Sequence, residues 1–120
     1  MAGGGRLSTH VLDTMHGGPA PGVRIELRRL DGEATTVLRD AQTNADGRVD
    51  GGLLTGDDLQ VGRYEIAFHL GDYFRARGVA LPDPPFLDVV PVRFAIADAS
   101  GHYHVPLLAS PWAYSTYRGS

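Results

Sequence analysis

Glycine and proline dominate the layout of this chain: 16 glycines and 8 prolines are spread through 120 residues. One loosens the backbone and the other removes a donor, so neither sits well inside a long helix or a central strand. Only short elements fit between them. There the apolar residues mostly alternate, which is the period of a strand with one buried face. Residues 23–29, VRIELRR, set Val23, Ile25 and Leu27 against Arg24, Glu26 and Arg28. Residues 7–13 set Leu7, Thr9 and Val11 against Ser8, His10 and Leu12. Residues 35–43, 63–70, 87–97, 102–108 and 112–118 read as further strands. In 63–70, Tyr64, Ile66 and Phe68 oppose Arg63, Glu65 and Ala67. Pro91 makes 87–97 a bent or edge strand. Asp31-Gly32, the run from Asn44 to Gly47, and the run from Asp98 to Gly101 read as turns. Residues 16–22, 51–62 and 81–86 read as loops. Residues 72–77 fit one short helix, with Asp72 as N-cap and Gly78 as C-cap. Seven or eight short strands at regular spacing define an all-β antiparallel sandwich. We expect a single domain over residues 7–120 behind a flexible segment 1–6.

The chain is long enough to bury a core without staples. It has no cysteine, which removes disulfides, a thiol nucleophile and Cys-ligated zinc. The net charge of −3 gives no pull toward nucleic acid or an acidic membrane. All 11 basic residues are arginine, so lysine Schiff-base and P-loop chemistry are excluded. The start, MAGGG, is neither a signal peptide nor a span. The expected location is cytoplasmic, with no nucleic-acid or membrane partner.

A sandwich is a scaffold, so function must be read from particular side chains. His102 and His104 lie two apart on a strand and share a face. That spacing is a metal half-site, and His10 is the third imidazole in a similar strand context. The same residues also serve without metal, because imidazoles near neutral pKa supply a general base and a general acid. A guanidinium adds paired donors for an anionic or imide-like substrate, and Arg48 and Arg118 are the candidates. Ser8, Thr9, Ser115 and Ser120 are available hydroxyls. His16, in its loop, reads as solvated, and His69, at a strand end, as structural. There is no Gly-x-Ser-x-Gly elbow and no phosphate loop after a strand.

Three stretches carry a resemblance. LSTHVLDTMHGGPAPGVRIEL near the start, TNADGR in the middle and HYHVPLLASPWAYSTYRGS at the end resemble the 5-hydroxyisourate hydrolases, the transthyretin-related enzymes of urate breakdown. The match runs in order from Leu7 to Ser120, and the terminal YRGS is its most specific part. The resemblance implies a transthyretin-like sandwich of two four-stranded sheets with one short helix, falling at DYFRARG. It implies a homotetramer, a dimer of dimers, with active sites in the channel between dimers. It implies hydrolysis of 5-hydroxyisourate to 2-oxo-4-hydroxy-4-carboxy-5-ureidoimidazoline, with no metal or organic cofactor. The family's catalytic set carries over onto His10, Arg48, His104 and Ser120. Tyr117, Arg118 and Gly119 line the site, and His10 and Arg48 also bind substrate. On this reading the chain end is tucked into the site. The Ser120 carboxylate or hydroxyl meets an imidazole or the substrate, and Gly119 lets the backbone turn there. The alternative is a transthyretin-type small-molecule binding protein without catalysis; the convergent imidazoles and YRGS separate the two.

Overall fold

The computed structural model describes residues 4–119. The expected flexible segment 1–6 therefore falls partly outside the described residues, as does Ser120. The strands are β1 (Arg6–Asp13), β2 (Gly18–Pro19), β3 (Arg24–Asp31), β4 (Ala34–Gln42), β5 (Leu54–Thr55), β6 (Gly62–His69), β7 (Val89–Ile96), β8 (His102–Ala109) and β9 (Tyr114–Thr116). One helix, α1 (Leu70–Ala76), follows β6.

The strands form two sheets. Sheet I has the order β2-β1-β8-β9, with β5 also paired to β1; sheet II has the order β4-β3-β6-β7. All pairs are antiparallel except β1 with β8, which run parallel. That pairing joins segments from opposite ends of the chain and sets Arg6 beside His102, Ser8 beside His104, and His10 beside Pro106.

The core lies between the sheets. Leu7, Val11, Val105 and Leu107 of sheet I meet Ile25, Leu27, Tyr64, Ile66, Phe68, Val90 and Ile96 of sheet II. These are the inward positions of the alternating pattern, so apolar burial fixes which side chains face out. Thr9 sits on the inward face and is buried, and its hydroxyl donates to the Val105 carbonyl at 2.7 Å. It is therefore spent on the core and is not a site hydroxyl. Pro91 lies on β7, an edge strand, where a missing donor costs no ladder bond.

Besides the parallel pair and the two-residue strands β2 and β5, which fall in segments read as loops, two details differ from the sequence reading. The helix starts at Leu70, with His69 at the N-cap, so Asp72 lies inside the first turn instead of capping it. The cause is tertiary: the Leu70 and Gly71 amides both donate to the Asp88 carbonyl, and Leu70 is buried. The other end is as expected. Gly78 has φ +81°, and the Val79 and Gly78 amides donate to Phe74 and Arg75, a Schellman ending. Second, Glu65 and Ala67 lie on the outer face of β6 yet are buried. Alternation assigns a side chain to a face but says nothing of how thickly its neighbours cover that face.

Candidate active site

The outer face of sheet I carries the residues of interest. β1 presents Arg6, Ser8 and His10 at steps of two, and β8 presents His102 and His104 beside them. These two strands build most of an open hollow of about 340 Å³, lined by Arg6, Ser8, Arg48, His102, Tyr103 and His104.

Arg48 reaches this face through the turn before it. Asn44 Oδ1 accepts from the Asp46 amide at 2.9 Å and from the Arg48 amide at 3.1 Å. The Gly47 amide donates to the Asn44 carbonyl at 2.9 Å. Gly47 has φ +76°, and any Cβ there would collide with the Val11 carbonyl. A glycine is needed for both reasons. The Val11 amide donates to the Gly47 carbonyl at 2.8 Å, which docks the turn on β1 and brings Arg48 into a β-bridge with His10. The motif "NADGR" thus places a guanidinium next to an imidazole.

His104 is half-buried at the centre of the group. Its Nδ1 lies 2.8 Å from the Ser8 hydroxyl, and Gly119 packs against the ring. The Gly119 amide donates to the His104 carbonyl at 2.8 Å. A Cβ built on Gly119 would lie 2.5 Å from His104 Cδ2, so only glycine fits unless the ring moves. Burial depresses the pKa of His104 below the ordinary imidazole value, and the charges of Arg48, His10 and Arg6 depress it further. The ring is held neutral, as a proton acceptor requires.

The remaining expected residues are placed as follows. Tyr117 and Arg118 line an adjoining hollow of about 350 Å³ together with residues of β7 and Tyr103. They stand beside the His104 group but do not line the same hollow within one chain. The Arg118 guanidinium lies 4.2 Å from the Tyr103 ring centroid and donates to the His102 carbonyl at 3.2 Å, which ties down the tail. His102 is exposed, with Nε2 2.9 Å from the Gly4 carbonyl. Among the described residues no group of three His, Cys, Asp or Glu is arranged to hold a metal ion. Ser115 is exposed on β9.

The two other histidines lie elsewhere. His16 is exposed but not merely solvated: its Nδ1 is 2.5 Å from Asp13 Oδ2, beneath which Tyr73 donates to the same oxygen at 2.7 Å. His69 is structural, with Nε2 2.7 Å from Glu26 Oε1. The sequence reading left Arg6 out altogether. The signal was present, since Arg6 is two residues before Ser8 and four before His10, on the same face.

Fold and site together define a class: a transthyretin-like sandwich with an open cleft of imidazole, guanidinium and hydroxyl groups on one sheet. The chain belongs to the HIUase/transthyretin family, whose model matches residues 7–119. It is 61% identical over 120 residues to 5-hydroxyisourate hydrolase 2 of Rhizobium meliloti, covering 100% of both chains. It superposes on the 5-hydroxyisourate hydrolase of Klebsiella pneumoniae with a TM-score of 0.75 at 34% identity, covering 100% of both. It also superposes on an (S)-allantoin synthase with a TM-score of 0.92 at 48% identity, covering 99% of this chain and 44% of that one.

Proposed function

We propose that this chain hydrolyses 5-hydroxyisourate, opening its ring to 2-oxo-4-hydroxy-4-carboxy-5-ureidoimidazoline, at the cleft over sheet I. The observation that carries the reading is the meeting of four residues from distant parts of the chain: Arg48 is bridged to His10, Gly119 is bridged to His104, and Arg48 and His104 line one hollow. The full-length likeness to a named hydrolase supports the substrate.

The substrate is a compact oxidised purine with an imide-like C–N bond. Its opening needs an activated water, a donor for the carbonyl oxygen and a proton for the leaving nitrogen. On this reading an imidazole of the His10–His104 pair takes a proton from water as its oxygen bonds to the carbonyl carbon. Negative charge then gathers on the carbonyl oxygen, and Arg48 holds it. Collapse of the tetrahedral species breaks the C–N bond, the nitrogen takes up the proton, and a carboxylate is left. Proton transfer of this kind contributes about 10²–10⁴-fold. A charge-stabilising donor contributes about 3 kcal/mol. Ser8 and Gly119 hold the His104 ring in place. Tyr117 and Arg118 border the site, and Ser120, which lies outside the described residues, is assigned a hydrogen bond to an imidazole or the substrate. No metal or organic cofactor is called for in these steps.

We further propose a homotetramer and a cytoplasmic location. β7 and β9 are the edge strands on one side of both sheets, and Val89, Tyr114 and Tyr117 there are exposed. Unpaired edges with apolar side chains favour association with a second copy. Among the described residues no helix is long and apolar enough to cross a membrane.

The test is a decay assay. 5-Hydroxyisourate is generated with urate oxidase, and its loss of absorbance is followed with this protein and with His10→Ala. Fast decay that the substitution abolishes supports the reading. Decay at the spontaneous rate, from folded protein, would move non-catalytic binding to first place.

A further inference from the structure

The hollow over sheet I holds more positive charge than the reaction steps use. Arg6 and Arg48 line it beside His102 and the neutral His104, and among the described residues no carboxylate does. Among the described residues neither the Arg6 nor the Arg48 guanidinium lies within salt-bridge distance of an acid, while Arg24, Arg28, Arg29, Arg75, Arg77 and Arg93 all do. Arg6 and His10 are four residues apart on β1, about 13 Å along the strand, and Arg48 is bridged to His10. The two guanidinium residues therefore stand at opposite ends of a short row, with Ser8 and His104 between them. The charge of Arg6 is felt at the centre, since it is one of the causes that depress the His104 pKa.

We propose that Arg6 is a substrate-binding and specificity residue that forms, with Arg48, a two-guanidinium cradle selecting anionic, carbonyl-rich heterocycles. This rests on the hydrolase reading of the cleft. Ring N–H groups flanked by two carbonyls are acidic, and the resulting charge spreads over the ring oxygens. A planar guanidinium meets such oxygens with paired donors. Ring opening then makes a carboxylate, which the same cation receives. Arg6 is exposed at the mouth of the hollow, away from the bond that breaks. Its attraction acts on capture and retention, so it governs KM and is weakened by salt.

The test compares Arg6→Gln with wild type and with Arg63→Gln. Arg63 is exposed on β6 of the other sheet and removes the same charge. Initial rates are measured at about 0.01 M and about 1 M salt, where screening lengths are about 30 and about 3 Å. At low salt Arg6→Gln raises KM about 3- to 10-fold with kcat within about 2-fold, and the gap closes at high salt. Arg63→Gln tracks wild type. A KM for Arg6→Gln equal to wild type at low salt overturns the inference, and so does an equal rise in Arg63→Gln. Calorimetric titration with urate, a stable oxopurine anion, reads binding without turnover, and Arg6→Gln binds it about 3- to 10-fold more weakly. If wild type fails to hasten decay, the hydrolase reading fails and the titration alone judges Arg6. Weaker urate binding by Arg6→Gln then upholds its role, and equal binding overturns it.

Discussion

The two sheets turn similar residues outward and put them to opposite uses. On sheet II, arginines and acids alternate across the strands. Arg24 pairs with Asp40 at 2.8 Å, Arg28 with both Glu26 and Glu65 at 3.1 Å, Arg93 with Glu65 at 3.0 Å, and His69 with Glu26 at 2.7 Å. On sheet I, Arg6, Arg48 and His104 line one hollow, His10 is bridged to Arg48, and among the described residues no acid lines the hollow. The lesson concerns where charge is left uncompensated. A cation beside its carboxylate is neutralised locally and has little attraction left for a ligand. Cations gathered without one repel each other, hold a neighbouring imidazole neutral, and keep their attraction for an anion. Cations are common to both outer faces; the acids beside them on sheet II are what separates the two.

This contrast can be broken at several points. The largest effect is expected on sheet I. His10→Ala and His104→Ala each lower kcat about 10²–10⁴-fold while the melting temperature changes little, as steady-state rates and thermal unfolding will show. On sheet II the effect falls on stability. Glu65→Gln leaves Arg28 and Arg93 facing a neutral amide in a buried position. It costs about 1–3 kcal/mol in denaturant unfolding, with kcat/KM unchanged. Gly119→Ala is smaller and falls on activity, because the new methyl must displace the His104 ring; kcat/KM drops about 10-fold without loss of stability. Asp40→Asn, at an exposed pair, leaves both unfolding and turnover as they were.

A pH profile sharpens the same contrast. The folded pKa of His104 lies below its unfolded value, so the folded chain binds fewer protons between the two. The basic form is kept below the ordinary imidazole range, and the acid limb of kcat/KM falls below about pH 6.5. By the same sign, the His104 contribution to stability is present above the unfolded value and is lost as pH falls through the folded one. Glu26 is also depressed, first by its hydrogen bond to His69 and then by its arginines, against the opposing effect of burial. Its contribution is lost only in the carboxylate range, as pH falls below about 4.3. An acid limb of kcat/KM centred above pH 6.5 would contradict the neutral His104.

The amino-acid sequence by itself determined the longer strands, their inward faces and the "NADG" turn. Each follows from local chemistry: alternation under one-sided burial, an Asn side chain accepting two amides, and a glycine at positive φ. It also carried the family motifs that mark His10, Arg48, His104 and the tail. Tertiary structure decided the rest. The helix began at Leu70 because Asp88, far along the chain, took its first free amides. Thr9 went to the core, and Glu65 was covered by arginines from two other strands. Above all, the parallel pairing of β1 with β8 set Ser8 against His104, 96 residues apart, and put Arg6 on the same face. Periodicity reports which way a side chain points, because that is a property of one strand. Which side chain it meets depends on the neighbouring strand, and only the folded chain supplies that.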